Sequence, residues 1–139
     1  MQIRKNWVVI VEELNWSSGF TGMFIALYRP AGEKEMELIG ESGWRAFPPR
    51  LPGQPIFYPV LNIEYANQIA RDWNTRYGGT GYVMRFHVDS EYLQQFPVQR
   101  ARGRVHQEYW IPAEKLEEFN RHIVGQIQIV SEFHGTEPM

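Results

Sequence analysis

A glutamate and a histidine two residues apart form the first candidate for chemistry in this sequence. Glu108 and His106 lie within residues 104–111, a stretch rich in β-branched and aromatic residues that predicts a strand. Because side chains alternate along a strand, both residues lie on the same face and can form an acid–base pair. A carboxylate is costly to bury without a partner. Glu108 is therefore either a catalytic carboxylate on a strand next to a cleft or the partner of Arg85, Arg100, Arg102 or Arg104 in a cross-strand ion pair.

Three side chains near the ends of predicted strands have types suited to ligand binding. Arg29 ends an early strand, where its planar guanidinium group can bind a phosphate or a carboxylate through two hydrogen bonds. Tyr28 precedes it and Tyr58 ends a later short strand, and aromatic rings in such places can stack on a planar ligand. Taken singly, all three residues are better explained by packing and surface solvation.

Residues 44–60 form a proline-rich and aromatic segment. The prolines exclude a long helix or a central strand, whereas the aromatic residues argue against a disordered linker. We predict an ordered loop followed by a short strand at residues 56–58. Such a loop can form the wall of a pocket, with Trp44, Arg45 and Arg50 lining it. The alternative is that the prolines only stiffen a long connection.

Several common kinds of site are not indicated. The sequence has no cysteine, and its four histidines lack metal-ligand spacing, so no metal is expected. It contains neither a glycine-rich phosphate-binding motif nor the G-x-S-x-G motif of serine hydrolases. The formal charge of −2 gives no argument for a nucleic-acid partner. No apolar run approaches the roughly 20 residues that span a bilayer, so we expect a cytoplasmic protein with no membrane contact.

The hydrophobic pattern predicts a single α+β domain over residues 1–139, in which the first two strands can pair as a hairpin. Asn62 is expected to cap the second helix, whose buried face ends at Trp73. Pro30 is expected to break the strand before it, and Gly125 to end the last helix. The predicted strands are 6–14, 21–28, 56–58, 82–88, 104–111 and 126–133, and the predicted helices are 33–42, 63–73 and 112–125.

These pieces together resemble the ADP-ribosyltransferase-like fold. In that fold an early strand ends in Arg or His after an aromatic residue, a second strand carries Ser or Tyr, and a late strand carries Glu. The matching stretches are residues 27–29 (LYR), 57–62 (FYPVLN) and 106–112 (HQEYWIP). Over residues 27–133 the chain also resembles small bacterial proteins labelled with ADP-ribosylation and crystallin terms, which share LYRP, SGWRAFPPRLP, QPIFYPV, IARDWN and EYWIPAE. The crystallin label suggests ADP-ribosyl hydrolysis, but the aspartate-rich metal motifs of that activity are absent from the sequence.

The resemblance implies two small, mostly antiparallel sheets packed with short helices around a cleft that binds NAD as a substrate. Arg29 would hold the phosphate or ribose side of NAD, and Tyr58 would stack on the nicotinamide. Glu108 would accept a hydrogen bond from the ribose 2′-hydroxyl and stabilise the oxocarbenium-like charge as nicotinamide leaves. The cofactor-binding residues implied in this way are Tyr28, Arg29, Phe57, Tyr58, Asn62 and His106.

Three features differ from the toxins of that fold, and they leave the acceptor undefined. The Ser-Thr-Ser pattern is absent, and His106 occupies a position where Gln or Glu is usual. Arg29 followed by Pro30, with a tyrosine in the second motif, mixes features of two subclasses. Residues 1–22 lie outside the resemblance, as an N-terminal extension, either an added hairpin or a region that guards the cleft, and residues 23–135 form the core.

Our leading interpretation is a mono-ADP-ribosyltransferase, a small toxin or modification enzyme that acts on a protein or nucleic-acid acceptor, with an antitoxin or a second copy of the chain as partner. A non-catalytic binding module with the same fold is the alternative. A third hypothesis is an interaction protein that uses the N-terminal hairpin as a sheet-edge contact.

Overall fold

The computed structural model describes residues 23–100 and 107–135. In this part of the chain, short helices alternate with strands. The strands are β1 (Phe24–Ala31), β2 (Ile56–Phe57), β3 (Thr80–Asp89), β4 (Val98–Arg100), β5 (Gln107–Tyr109), β6 (Ile111–Pro112) and β7 (Ile123–His134). The helices are α1 (Glu33–Glu41), α2 (Ile63–Ile69), α3 (Ser90–Leu93) and α4 (Leu116–Asn120). The expected α+β class, with small antiparallel sheets and short helices, is confirmed.

The largest sheet has three strands in the order β1–β3–β7, and both of its strand pairs are antiparallel. The long central strand β3 places Arg85 between Tyr28 of β1 and Gln128 of β7. Two smaller antiparallel pairs, β2–β6 and β4–β5, complete the pairing in the described residues. Residues 44–55 connect α1 to β2 and carry no regular element.

A short backbone segment joins the three-stranded sheet to β5, and we call residues 59–61 the seam. Val60 exchanges both backbone hydrogen bonds with Tyr28, at 2.8 and 2.9 Å. On the other edge of the seam, the Tyr109 N–H donates to the Pro59 carbonyl and the Leu61 N–H donates to the Gln107 carbonyl. The seam therefore places β1 and β5 on either side of one extended backbone.

The main core lies on the face of the sheet that α1, α3 and α4 cover. It is dominated by aromatic rings, with Phe47 packed 4.9 Å from Phe57 and 4.8 Å from Phe86, centroid to centroid. Asn120 at the end of α4 holds the proline-rich segment against this core, because its side-chain amide bonds both the N–H and the carbonyl of Phe47. A smaller cluster around Val60, Ala66, Ala70 and Val83 fills the opposite face, beneath α2.

The predicted start of α2 and the predicted end of α1 are both observed in the structure. Asn62 caps α2 through its side-chain oxygen, which accepts hydrogen bonds from the Glu64 and Tyr65 backbone N–H groups. Gly43 follows α1 with a φ of +80°, a conformation that glycine adopts without strain. Beyond Ile69 the α2 helix widens into a π-helical turn, Ala70–Asn74. Trp73 consequently leaves the buried face and is 61% exposed, so its predicted burial is wrong.

Two predicted chain breakers lie inside strands. Pro30 is part of β1 opposite Val83, which an outer strand tolerates because an edge position needs no N–H donor. Gly125 does not end a helix: α4 ends at Asn120, and Gly125 lies in β7 with a φ of +76°. There the register with β3 shifts between Arg85 and His87, as expected where a glycine in the left-handed region allows a β-bulge.

Several expectations fall on residues outside the described part of the chain. These are the N-terminal hairpin at residues 1–22 and the start of the Glu108 strand, including His106. In the described ranges no helix is long and apolar enough to cross a membrane.

We expect Gly81→Ala to destabilise the fold by about 2–3 kcal/mol, in the range of overpacking substitutions. A Cβ atom at Gly81 would collide with the Ala70 carbonyl oxygen and lie 2.9 Å from Asn74 Cβ, so the π-helical turn would have to move off β3. Urea unfolding measures the change. Gly32→Ala is the control, because a Cβ there meets nothing nearer than Asn74 Nδ2 at 3.8 Å. Equal stabilities of the two variants would contradict the close approach.

We expect the stability of the protein to fall as the pH rises above about 10, and Tyr92→Phe to reduce this fall. Burial raises the pKa of Tyr92 above its ordinary value of 10.0, and the hydrogen bond from its hydroxyl to Glu118, 2.9 Å, raises that pKa further. The folded state holds the phenolic proton more tightly than the unfolded chain. The resulting stabilisation is complete below the unfolded-state pKa and is lost as the pH rises toward the folded-state pKa. Unfolding free energies from pH 8 to 11 test this, and parallel curves for the two proteins would contradict it.

Candidate functional site

Glu108 lies in the middle of β5 and is only 8% exposed. Its Oε2 accepts a hydrogen bond from the indole Nε1–H of Trp110 at 2.8 Å. Its Oε1 accepts a longer hydrogen bond from the Tyr65 hydroxyl at 3.3 Å. Both carboxylate oxygens are therefore oriented by protein donors, and each keeps further capacity to accept a hydrogen bond.

The partners of Glu108 come from local features of the sequence. Trp110 is two residues further along the chain, so it projects from the same side as Glu108. Tyr65 lies in the first turn of α2, which the Asn62 cap fixes directly after the seam. Val60 pairs with both Tyr28 and Glu108, so these three side chains are neighbours on one face of the sheet.

Two exposed aromatic rings flank the carboxylate. Tyr58 is 38% exposed and Trp110 is 43% exposed. Their ring centroids are 6.2 Å apart and the ring planes are nearly perpendicular, at 87°. A nearly buried carboxylate thus lies beside a pair of solvent-facing aromatic side chains, an arrangement that suits a ligand with a planar ring and a hydroxyl or cationic group.

Arg29 lies on the opposite face of the sheet from Glu108. Tyr28 and Arg29 are consecutive in β1, so their side chains leave opposite faces. Arg29 forms a two-pronged ion pair with Glu35 of α1, with N···O distances of 2.8 and 2.9 Å. Its guanidinium also lies over the Phe57 ring, 4.8 Å from the centroid. Arg29 thereby fixes α1 against the core.

The structure gathers some of the predicted site residues and separates others. Tyr28 and Glu108 lie on the face that α2 covers, and Tyr58 contacts Trp110 next to Glu108. Arg29 and the buried Phe57 lie on the other face. The side-chain oxygen of Asn62 is engaged in capping α2. His106, the remaining predicted ligand residue, lies outside the described chain.

The ion-pair alternative for Glu108 is not observed in residues 23–100 and 107–135. Arg85 donates instead to Gln128 at 3.1 Å, and Arg100 forms no ion pair with Glu108. Arg102 and Arg104 fall in the part of the chain that is not described. The partners of Glu108 in the described residues are therefore the neutral donors of Tyr65 and Trp110.

Sequence reasoning missed Tyr65 and Trp110 as members of the site. Trp110 could have been found, because it follows Glu108 by two residues in a predicted strand. Tyr65 gave no such signal, since its approach to Glu108 depends on how α2 packs on the sheet. Of the proline-loop residues, Arg50 lines a pocket, Trp44 packs against the core and Arg45 is exposed.

No group of three or more histidine, aspartate or glutamate side chains in the described residues is arranged to hold a metal ion. What the site offers is an oriented carboxylate with aromatic walls, which can stabilise a positive charge or accept a hydroxyl proton in a hydrogen bond. Comparisons of the chain with protein-family models, with curated proteins and with solved structures found no match.

Proposed function

We propose that the protein is an NAD-dependent mono-ADP-ribosyltransferase whose catalytic carboxylate is Glu108. The observation that carries the proposal is the setting of this carboxylate, which is nearly buried, held by Tyr65 and Trp110, and adjoined by the exposed rings of Trp110 and Tyr58. Strand order adds support, because the early strand, the tyrosine segment and the glutamate strand named in the resemblance are direct neighbours.

In the proposed reaction the bond between the nicotinamide nitrogen and the ribose anomeric carbon breaks. Nicotinamide leaves with the bonding electron pair, and the ribose acquires oxocarbenium-like positive charge. The fixed negative charge of Glu108 stabilises that developing charge, while one of its oxygens accepts a hydrogen bond from the ribose 2′-hydroxyl. An acceptor group then attacks the anomeric carbon and loses a proton. The rings of Tyr58 and Trp110 would bind the nicotinamide by stacking.

Arg29 has a supporting role in this proposal rather than a ligand-binding one. Its guanidinium already makes two hydrogen bonds to Glu35 and covers Phe57 on the other face of the sheet. A direct contact between Arg29 and NAD bound at Glu108 would require that ion pair to open. We therefore assign Arg29 to holding α1 in place.

A non-catalytic binding module is the second candidate. The observation that favours it is that both oxygens of Glu108 already accept hydrogen bonds from within the protein. Such a carboxylate can serve as the polar base of an aromatic binding surface without taking part in bond cleavage. The two candidates differ in whether bound NAD is consumed.

The test is to incubate the purified protein with NAD, to measure nicotinamide release by chromatography, and to titrate NAD calorimetrically in parallel. Release of nicotinamide with saturation in NAD is the expected result. Saturable NAD binding without nicotinamide release would favour the binding module. No binding heat at millimolar NAD would remove NAD as a ligand from both candidates. The protein or nucleic-acid acceptor expected of a transferase would then lose its basis as well.

A further inference from the structure

A pocket lies between α1 and the proline-rich segment, defined as residues 44–60. It has a volume of about 310 Å³, at the small end of ligand-binding pockets. Leu38, Pro48 and Leu51 provide apolar walls, and the cations Arg29, Lys34 and Arg50 lie around them. Its lining includes none of Glu108, Tyr65, Trp110 and Tyr58, although Tyr58 lies near enough to Arg50 to influence the pKa of that guanidinium.

The charges that line this pocket are not balanced. Glu35 is the acidic residue among the lining side chains, and Arg29 already pairs with it through both oxygens. Arg50 and Lys34 make no ion pair with any described residue. The Arg50 Nε–H is also withdrawn from solvent and has no hydrogen-bond partner in the described chain. A buried donor left without an acceptor is energetically costly, and more so when it belongs to a charged group.

The electrostatic setting of Arg50 agrees with this imbalance. Burial lowers the pKa of Arg50, and the nearby positive charge of Arg29 lowers it further, while Glu35 acts in the opposite direction. An arginine stays protonated at any ordinary pH. The fold therefore holds a charge at a position that disfavours it, and a bound anion would relieve that cost.

We propose that this pocket binds a small molecule with a phosphate or carboxylate head group, which pairs with Arg50 and Lys34. The planar guanidinium fork matches either head group through two parallel hydrogen bonds. The leucine and proline side chains would contact an apolar or ring-shaped body attached to the anion. This inference goes beyond the proposed function, because it requires neither NAD nor Glu108.

The probes are inorganic phosphate, phenyl phosphate and benzoate, each titrated calorimetrically into the full chain at constant ionic strength. We expect saturable binding of phenyl phosphate or benzoate and weaker binding of phosphate alone, because only the first two reach the apolar walls. The two ring-bearing probes distinguish a phosphate ligand from a carboxylate ligand. Non-saturable heats for all three would overturn the proposal.

The matched variants are Arg50→Gln and Arg45→Gln, since Arg45 lies in the same segment but is exposed. Arg50→Gln is expected to weaken binding at least tenfold, whereas Arg45→Gln leaves it unchanged. Equal losses in both variants would mean that the anion responds to net charge and would contradict a site. Glu108→Gln should bind the probes as the wild type does. Displacement of the probe by NAD would show that the pocket belongs to the NAD site, and would overturn its independence.

Discussion

We expect Glu108→Gln to lower nicotinamide release by about 10² to 10³-fold while the protein remains folded, in line with the removal of a single electrostatic stabiliser. Glutamine has nearly the shape of glutamate but no negative charge to stabilise the ribose in the transition state. Its amide can still accept a hydrogen bond from Trp110 and donate one to the Tyr65 oxygen, so the local packing is retained. The rate of release at saturating NAD and the thermal midpoint measure the two effects separately.

Glu114→Gln is the matched control for this variant. Glu114 lies only a few residues further along the chain and is exposed, so the same change of charge occurs outside the Glu108 site. It should release nicotinamide at the wild-type rate. If Glu108→Gln also keeps the wild-type rate, Glu108 is not the catalytic group. If instead it loses several degrees of thermal stability, the carboxylate also supports the fold. Nicotinamide release is then compared at a temperature at which both proteins are fully folded.

Arg29→Met is expected to destabilise the protein by about 2–4 kcal/mol, toward the lower end for breaking a buried ion pair. The side chain of Arg29 is 11% exposed and that of Glu35 is 20% exposed, so removing the guanidinium leaves a poorly solvated carboxylate without its partner. Methionine keeps most of the apolar stem over Phe57 but loses the attraction of the cation for the ring. Guanidinium unfolding of both proteins gives the difference in free energy.

Two further variants isolate the pair from general effects of losing an arginine. Arg71→Met breaks an exposed pair with Asp72, and such a surface pair contributes only about 0–1 kcal/mol. Adding Glu35→Leu to Arg29→Met should recover much of the lost stability, because no unpaired charge then remains. A fully stable Arg29→Met protein that no longer binds NAD would assign Arg29 to the ligand and contradict its supporting role.

The positions of the helices and strands could be predicted from the sequence better than their arrangement in space. Periodicity located α1 and β3, and the capping preference of asparagine located the start of α2, because both signals are local. The exposure of Trp73 could not be foreseen, since it results from a π-helical turn fitted against Gly81. Gly125 was misplaced because a glycine can end a helix or permit a β-bulge, and only the partner strand decides between them.

For the site, residue types could be predicted but not the faces from which they project. The alternation rule places His106 with Glu108, and equally places Trp110 there, within one strand. The alternation rule does not predict which side chains of β1 and β5 share a face, because that depends on the pairing of Val60 with both strands. The separation of Arg29 from Glu108 follows from that register alone, and one residue of slip would reverse it.

The seam also affects how the chain folds. It unites β1, residues 59–61 and β5, which are separated by long stretches of chain, so each pairing closes a large loop. Closing such loops costs entropy before the contacts can compensate for it, which slows folding and delays these pairings. The surroundings of Glu108 therefore depend on contacts among all three segments, and a fragment of the chain that lacks any one of them would not contain these surroundings.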